Sequence, residues 1–211
     1  MEACFLCAPD LELVYAASPS SVALCGLGPI VDGYSLVATR EHLLSCADAV
    51  LVHRDFIRFA ESVRTVLANR YGSCLMTEHG RLPVCTRPSG TENHCFHAHF
   101  LLFPASPDIT ELSRPHFDQA QEASSLEEAL AIARDQQEYF LLSAVPNRFF
   151  VMSHHHDLMR QFARHIVAEA VGCTERADWS AFPDRAKSET AARDFAHIVP
   201  ASIRTPWIQQ K

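Results

Sequence analysis

The chain has 211 residues, of which 48% are hydrophobic and 20% are charged. This is the composition of one globular domain with a substantial core, and it excludes a disordered chain. The net charge is −7 and no run of Lys or Arg exceeds two residues, so we expect no nucleic-acid polymer as a partner. The sequence has neither a run of about 18 apolar residues nor a basic segment followed by an apolar one at the N-terminus. We therefore expect no membrane span, no signal peptide and a cytoplasmic location.

The first half of the chain predicts short strands around one long helix. After a compact knuckle and turn, strands are predicted at residues 13–16, 21–24, 34–38, 75–77 and 96–103. Ser45 begins the helix, with Asp48 three residues later as in a capping box, and Gly72 ends it. Apolar residues at helical spacing support this helix: Phe56, Phe59, Val63, Val66 and Leu67.

The second half predicts a hairpin and further helices. Strands are expected at residues 139–142 and 149–152, and helices at residues 125–130 and 153–172. Three histidines, His154 to His156, follow Ser153 in what would be the exposed first turn of the last of these helices. Strands outnumber helices without strict β-α-β alternation, which predicts the α+β class. The expected architecture is a mainly antiparallel sheet with a long helix packed on it and a C-terminal helical extension.

The cysteines and glycines of the sequence exclude several classes of protein and of binding site. Eight cysteines could form four disulfides in a small secreted scaffold, but this chain is too long and too apolar for one, so we expect mostly buried thiols. No G-x-G-x-x-G or G-x-x-x-x-G-K-[ST] motif occurs, which excludes a Rossmann fingerprint and a Walker A loop. Cys4-x-x-Cys7 is half of a tetrahedral zinc site, although a structural thiol pair or a redox motif fits the bare pattern as well. His42 and His97 are the natural candidates for the other half.

His97-Ala98-His99 is the central signal of the sequence. Alternation on a strand places the two rings on one face, about 6–7 Å apart. One imidazole can then bind a metal or hold its neighbour, while the other acts as a nucleophile or base. The alternative is a pair of half-buried histidines on a sheet surface.

Four segments carry a resemblance to a known family when they are taken together. In chain order they are Cys4-Phe5-Leu6-Cys7, residues 33–42 (GYSLVATREH), Glu78-His79-Gly80 and residues 97–104 (HAHFLLFP). Their order and spacing are similar to those of the histidine-triad (HIT) superfamily, and the likeness covers residues 1–105. It implies a HIT-like core over residues 1–105, with a zinc knuckle and a His-x-His strand. Residues 106–211 would complete the same domain with a hairpin and helices.

The resemblance implies a covalent mechanism. Family members bind a nucleotide, and the central histidine of His-x-His-x-His attacks the α-phosphate to form a nucleotidyl-histidine that water or another acceptor resolves. Aligning Pro104 with the family's proline makes His97, His99 and Leu101 the three positions, so His99 is the nucleophile. The alternative register makes His97 the nucleophile, but it leaves two extra residues before Pro104 and no first-position histidine for zinc.

The zinc-bearing branch of the family, which includes galactose-1-phosphate uridylyltransferase, implies a structural metal. There the first histidine binds zinc together with two cysteines and an upstream histidine. The corresponding residues in this sequence are Cys4, Cys7, His42 and His97.

Five further residues are candidates for substrate binding. Ser89, Thr91 and Asn93 could donate to phosphoryl oxygens, although such a composition is also that of an ordinary loop. Glu78 could accept from a ribose hydroxyl, a protonated His79 or a substrate amine, or it could pair with a nearby arginine. Leu101 stands where hydrolytic members have a histidine that contacts the phosphate or the leaving group, and where uridylyltransferase-like members have glutamine. Leucine can do neither.

These residues lead to one expectation and two alternatives. We expect a nucleotide hydrolase or nucleotidyltransferase acting on the α-phosphate of a nucleotide conjugate through a nucleotidyl-histidine. The first alternative, motivated by Leu101, is a non-catalytic, zinc-stabilised nucleotide-binding protein. The second is a zinc-dependent hydrolase, which four protein ligands would exclude because the metal needs an open position. A homodimer is possible, or residues 105–211 could supply the covering surface within one chain.

Overall fold

One large sheet forms the centre of the protein. The computed structural model describes residues 4–84 and 96–204, and in these ranges eight strands pair in the order β1-β2-β3-β5-β4-β7-β8-β6. Every neighbouring pair is antiparallel. The strands are β1 (Val14–Ala17), β2 (Ser21–Cys25), β3 (Ser35–Thr39), β4 (Cys74–Gly80), β5 (His99–Pro104), β6 (Phe117–Ala123), β7 (Tyr139–Val145) and β8 (Arg148–His155).

Six α-helices accompany the sheet in the same ranges, and together they confirm the predicted α+β class. They are α1 (Cys46–Val52), α2 (Phe56–Tyr71), α3 (Thr110–Ser113), α4 (Leu126–Arg134), α5 (Phe162–Ala170) and α6 (Arg185–Ile198). None of these helices is long and apolar enough to cross a membrane.

The single long helix predicted between Ser45 and Gly72 is two helices. Ser45 caps α1 as predicted, since its Oγ accepts from the Asp48 N–H, but α1 ends at Val52. Asp55 lies at the start of α2 and accepts from Ser20 Oγ in the turn between β1 and β2 at 2.9 Å. This long-range contact lies at the junction between the two helices. The apolar spacing within α2 gives no indication of it, so the sequence pattern does not predict the break.

The two faces of the sheet bury different helices. Successive residues alternate strictly, so that Phe100 and Leu102 face one side while Leu101 and Phe103 face the other. The first face packs against α1, α2, α4 and α6. The second face packs against α5, whose Phe162, Ala163, Ile166 and Val167 are all buried there. The second face is the one that carries His99, two residues before Leu101.

The second half of the chain differs from the prediction at two places. The hairpin of β7 and β8 is confirmed, but β6 was not predicted, because its residues 118–122 are all exposed and show no apolar alternation. The prediction of a helix from Ser153 is wrong. Pairing with β6 extends β8 through His155, where Phe117 is its partner, and α5 begins only after Gln161.

The antiparallel order brings the functional candidates to one end of the sheet. At this end β3, β4 and β8 finish while β5, β7 and β6 begin. His42, His79, His97 and His99 all lie here, although 57 positions separate the first from the last. Strand β7 also pairs with β4, so residues from the second half cover that edge of the first-half sheet within one chain. A homodimer stays a prediction.

Candidate metal centre and active site

Four predicted metal ligands come together at this end of the sheet. Cys4, Cys7, His42 and His97 each offer one sulfur or nitrogen atom, and all four atoms lie within 4.8 Å of one another. Cys4 Sγ lies 3.4 Å from His97 Nδ1, and Cys7 Sγ lies 3.1 Å from His42 Nδ1 and 3.6 Å from His97 Nδ1. This group could bind a metal ion.

Main-chain hydrogen bonds explain why residues so distant in sequence meet. The Cys7 N–H donates to the Cys4 carbonyl at 3.0 Å, which folds the knuckle so that both thiols face the same way. The Ala98 N–H donates to the Leu43 carbonyl at 2.7 Å, and the Thr39 N–H donates to the Ala98 carbonyl at 3.1 Å. These two bonds tie the segment before β5 to the segment after β3, which places His97 beside His42.

The His97 ring is held in the orientation that a metal ligand needs. Its Nε2–H donates to the Thr39 main-chain carbonyl at 2.7 Å, so the lone pair of Nδ1 faces the two thiols. A ligating histidine commonly donates its second nitrogen to such an acceptor, which fixes the tautomer. Cys4 and His97 are buried whereas Cys7 and His42 are exposed, so one side of the group faces solvent.

His99 follows directly and is oriented by His97. Its Nδ1 lies 2.6 Å from the main-chain carbonyl of His97, which makes Nδ1 the protonated nitrogen and leaves the lone pair on Nε2. Burial lowers the pKa of His99 to about 4, against the opposing effect of that hydrogen bond and with a further lowering by the neighbouring His97. The ring is therefore neutral at pH 7, with one nitrogen held and the other available for chemistry.

The described residues leave little space in front of His99. The cavity there has a volume of about 10 Å³, which is about the room for one water molecule. Its lining residues are Leu44, Glu78, His79, Leu82, Phe96, His97 and His99.

Glu78 reaches this cavity, but its carboxylate is bound on the opposite face. Oε1 accepts from the Cys46 N–H at 2.6 Å and Oε2 accepts from the Tyr139 hydroxyl at 2.7 Å. Burial raises the pKa of Glu78 to about 7, against the lowering effects of these hydrogen bonds and of the nearby Arg81. Arg81 itself pairs with Asp48 at 2.5 Å. Glu78 therefore joins α1 to β7.

The other predicted substrate residues do not gather at the cavity. Leu101 is only 4% exposed and belongs to the apolar cluster under α5, so it is not among the residues that line the cavity. Ser89, Thr91 and Asn93 lie outside the described residues.

His79 lines the same cavity, although the sequence alone indicates no role for it. Its Nε2 accepts from the Ala163 N–H at 2.9 Å, in the first turn of α5, and its ring stacks on Phe140 at a centroid distance of 5.8 Å. Burial, with a smaller contribution from the neighbouring His99, lowers the pKa of His79 to about 3. His79 could be recognised only from the pairing register of β4 with β5. The sequence pattern does not predict this register.

A larger cleft than the one at His99 lies elsewhere in the described residues. It has a volume of about 400 Å³ and borders the metal group through Cys7. Its remaining lining residues are Leu6, Pro9, Pro19, Ser20, Val22, Arg40, Glu41 and His53. None of the predicted catalytic or substrate-binding residues lines this cleft.

Comparison with known proteins assigns no family to this geometry. No protein-family model matches the chain, and no curated protein matches it. The function must therefore be inferred from the residues of the site, which are four candidate metal ligands and two neighbouring imidazoles at one end of a single sheet.

Proposed function

We propose that this protein has a HIT-like fold and is a nucleotide hydrolase or nucleotidyltransferase, with His99 as its nucleophile. The observation that carries the proposal is the double role of His97. Its ring belongs to the candidate metal centre, and its main-chain carbonyl holds Nδ1 of His99 at 2.6 Å. A nucleophilic imidazole needs a free lone pair on one nitrogen and a fixed proton on the other, and this contact provides both.

We further propose that the metal is zinc and that its role is structural. Two thiolates and two imidazoles are a donor set that suits zinc, and zinc bond lengths in a tetrahedral site place ligand atoms about 3.3–3.8 Å apart. The sulfur–nitrogen distances of 3.1, 3.4 and 3.6 Å are close to that range. When bound, the ion supplies a rigid anchor for the knuckle and for His97. Four protein ligands leave no open position for a reacting water, which argues against a zinc-dependent hydrolase.

The proposed reaction has two steps at phosphorus. In the first, the Nε2 lone pair of His99 forms a bond to the α-phosphorus of a nucleotide conjugate, and the bond to the leaving group breaks with its electron pair. In the second, water, which gives up a proton to the solvent, or another acceptor attacks the same phosphorus, and the P–N bond breaks with its electrons returning to Nε2. The Nδ1–H of His99 donates to the His97 carbonyl throughout, and the oxygen of this carbonyl stabilises the positive charge that the ring carries in the intermediate.

Intact-mass spectrometry tests this proposal. Purified protein is incubated with dinucleoside polyphosphates and with nucleotide sugars, in parallel with His99→Ala and with the control His154→Ala, which changes an exposed histidine at the end of β8. The expected result is a mass gain of one nucleoside monophosphate in the wild type and in the control, and no gain in His99→Ala. An adduct that persists in His99→Ala would contradict the proposed nucleophile.

A second candidate function is favoured by one observation at the same site. Leu101 is packed into the core at the position where hydrolytic HIT members have a histidine. This fits a zinc-stabilised nucleotide-binding protein without turnover. Calorimetric binding of nucleotide with neither adduct nor product would favour this alternative over the enzyme.

A further inference from the structure

Two imidazoles from adjacent strands meet in the cavity at the end of the sheet. The last residue pair of β4 and β5 at this end of the sheet is Thr77 with Leu101. Toward the end of the sheet, His79 lies two residues after Thr77 and His99 lies two residues before Leu101. Both side chains therefore extend from the same face, and both line the cavity. Directly opposite residues in antiparallel strands have Cβ atoms about 4.5–5.5 Å apart, which is close enough for two rings to contact one group.

The His79 ring is fixed on two sides. Its Nε2 accepts from the Ala163 N–H at 2.9 Å, so in the neutral ring the proton resides on Nδ1. Stacking on Phe140, with 25° between the ring planes, holds the ring against β7. A side chain positioned in this way by a helix amide and an aromatic face has little freedom to lose when a ligand binds.

We propose that His79 is a second catalytic imidazole, in the role that Leu101 cannot fill, and that its Nδ1–H donates a hydrogen bond to a non-bridging oxygen of the phosphoryl group under attack. This inference rests on the proposed function of His99. The Nδ1 proton is not transferred, so the ring is the same before and after each step, and what it stabilises is the negative charge that develops on the phosphoryl oxygens. The strong lowering of the His79 pKa by burial keeps the ring neutral, as this role requires.

A purely structural role for His79 would be to satisfy the Ala163 N–H at the start of α5. Two substitutions separate the roles because each preserves a different half of the imidazole. In His79→Gln the amide oxygen can take the place of Nε2 as acceptor, while the Nδ1–H is lost. In His79→Asn the amide N–H lies near the position of Nδ1, while the acceptor for Ala163 is lost.

The experiment measures the rate of adduct formation on His99 and the melting temperature for the wild type and both variants. The probes are the p-nitrophenyl ester of adenosine 5′-monophosphate and diadenosine tetraphosphate. We expect His79→Gln to melt within a few degrees of the wild type and to form the adduct about 100-fold more slowly with both probes. We expect His79→Asn to melt several degrees lower and to form the adduct faster than His79→Gln.

Two results would overturn the inference, and they are distinguishable from a failure of the proposed function. A wild-type rate in His79→Gln would leave His99 as nucleophile and remove His79 from the reaction. Rates that follow the melting temperatures, with His79→Asn the slowest, would reduce His79 to a helix cap. If the wild type itself forms no adduct with either probe, the proposed function fails and the inference fails with it.

Discussion

The main-chain carbonyl of His97 lies 2.6 Å from Nδ1 of His99, while the His97 ring points away from it toward the thiols of Cys4 and Cys7. One residue therefore links the candidate metal centre to the candidate nucleophile. A displacement of the His97 main chain would move the carbonyl that orients His99. Loss of the metal is thus expected to impair chemistry at His99 without touching the His99 side chain.

Removing one exposed metal ligand tests this link. Cys7→Ser changes an exposed side chain, so it costs little packing, but it removes one of four donors. We expect bound zinc, measured by mass spectrometry of the metal, to fall well below the wild-type level of about one ion per chain. We also expect the melting temperature to fall by more than about 5 °C.

Cys173→Ser is the matched control, because Cys173 is a free cysteine outside the metal group. It should keep its zinc and its melting temperature. Equal zinc in Cys7→Ser and in the control would show that Cys7 is not a ligand.

The buried carboxyl of Glu78 should make stability depend on pH. Its pKa is about 7 in the folded chain against 4.5 ordinarily, so between these values the folded state holds a proton that the unfolded state has lost. The free energy of unfolding therefore falls as the pH rises through this window, by up to about 3 kcal/mol from this residue.

Glu78→Gln removes this dependence. Relative to the wild type, the variant should gain about 3 kcal/mol between pH 4 and pH 8, as measured by urea unfolding at each pH. Glu127→Gln, at an exposed position on α4, should track the wild type throughout. A constant difference between Glu78→Gln and the wild type would mean that folding does not raise the pKa of Glu78.

Restoring the third histidine of the HIT pattern should not restore its function. Leu101 is 4% exposed among apolar residues under α5, so a histidine there would bury a polar ring without partners. We expect Leu101→His to lose about 2–4 kcal/mol in urea unfolding and to gain no rate of adduct formation. Leu101→Met, which preserves volume, should lose less than about 1.5 kcal/mol. A faster and stable Leu101→His would place residue 101 in the active site.

The ring of Tyr139 leaves no room for a side chain at Gly80. A Cβ at this position would lie 2.1 Å from Cζ of Tyr139, whose hydroxyl binds Glu78. Gly80→Ala must therefore displace the ring, and we expect a loss of about 2 kcal/mol or more in urea unfolding. In a double-mutant cycle with Tyr139→Leu, the two changes should couple by more than about 0.5 kcal/mol. Additive losses would show that the ring and the glycine do not meet.

Much of the site could be predicted because its parts are short motifs of residues that commonly bind metals or act in catalysis. Few functions fit the spacing of Cys4 with Cys7 or that of His97 with His99. Strand alternation and the family resemblance assign them roles. The close approach of the four metal-ligand candidates agrees with that prediction.

What could not be predicted depends on pairing between distant segments. The register that sets His79 beside His99 and the amide of Ala163 that orients it come from strands and helices far apart in sequence. Likewise, β6 shows no apolar alternation, so neither its existence nor its extension of β8 through His155 is visible in the pattern. The sequence does not reveal the structural role of Glu78, because its partners, Cys46 and Tyr139, lie 32 and 61 residues away.

The central claim is that a metal-held His97 presents His99 with its Nε2 lone pair toward the substrate. Nitrogen NMR of the histidine rings, in metal-free and zinc-loaded protein, tests it most directly. We predict that zinc shifts Nδ1 of His97 while its Nε2 stays protonated, and that His99 in the zinc-loaded protein is neutral with its proton on Nδ1. A His99 ring protonated on Nε2, or a His97 ring that does not respond to zinc, would contradict the account.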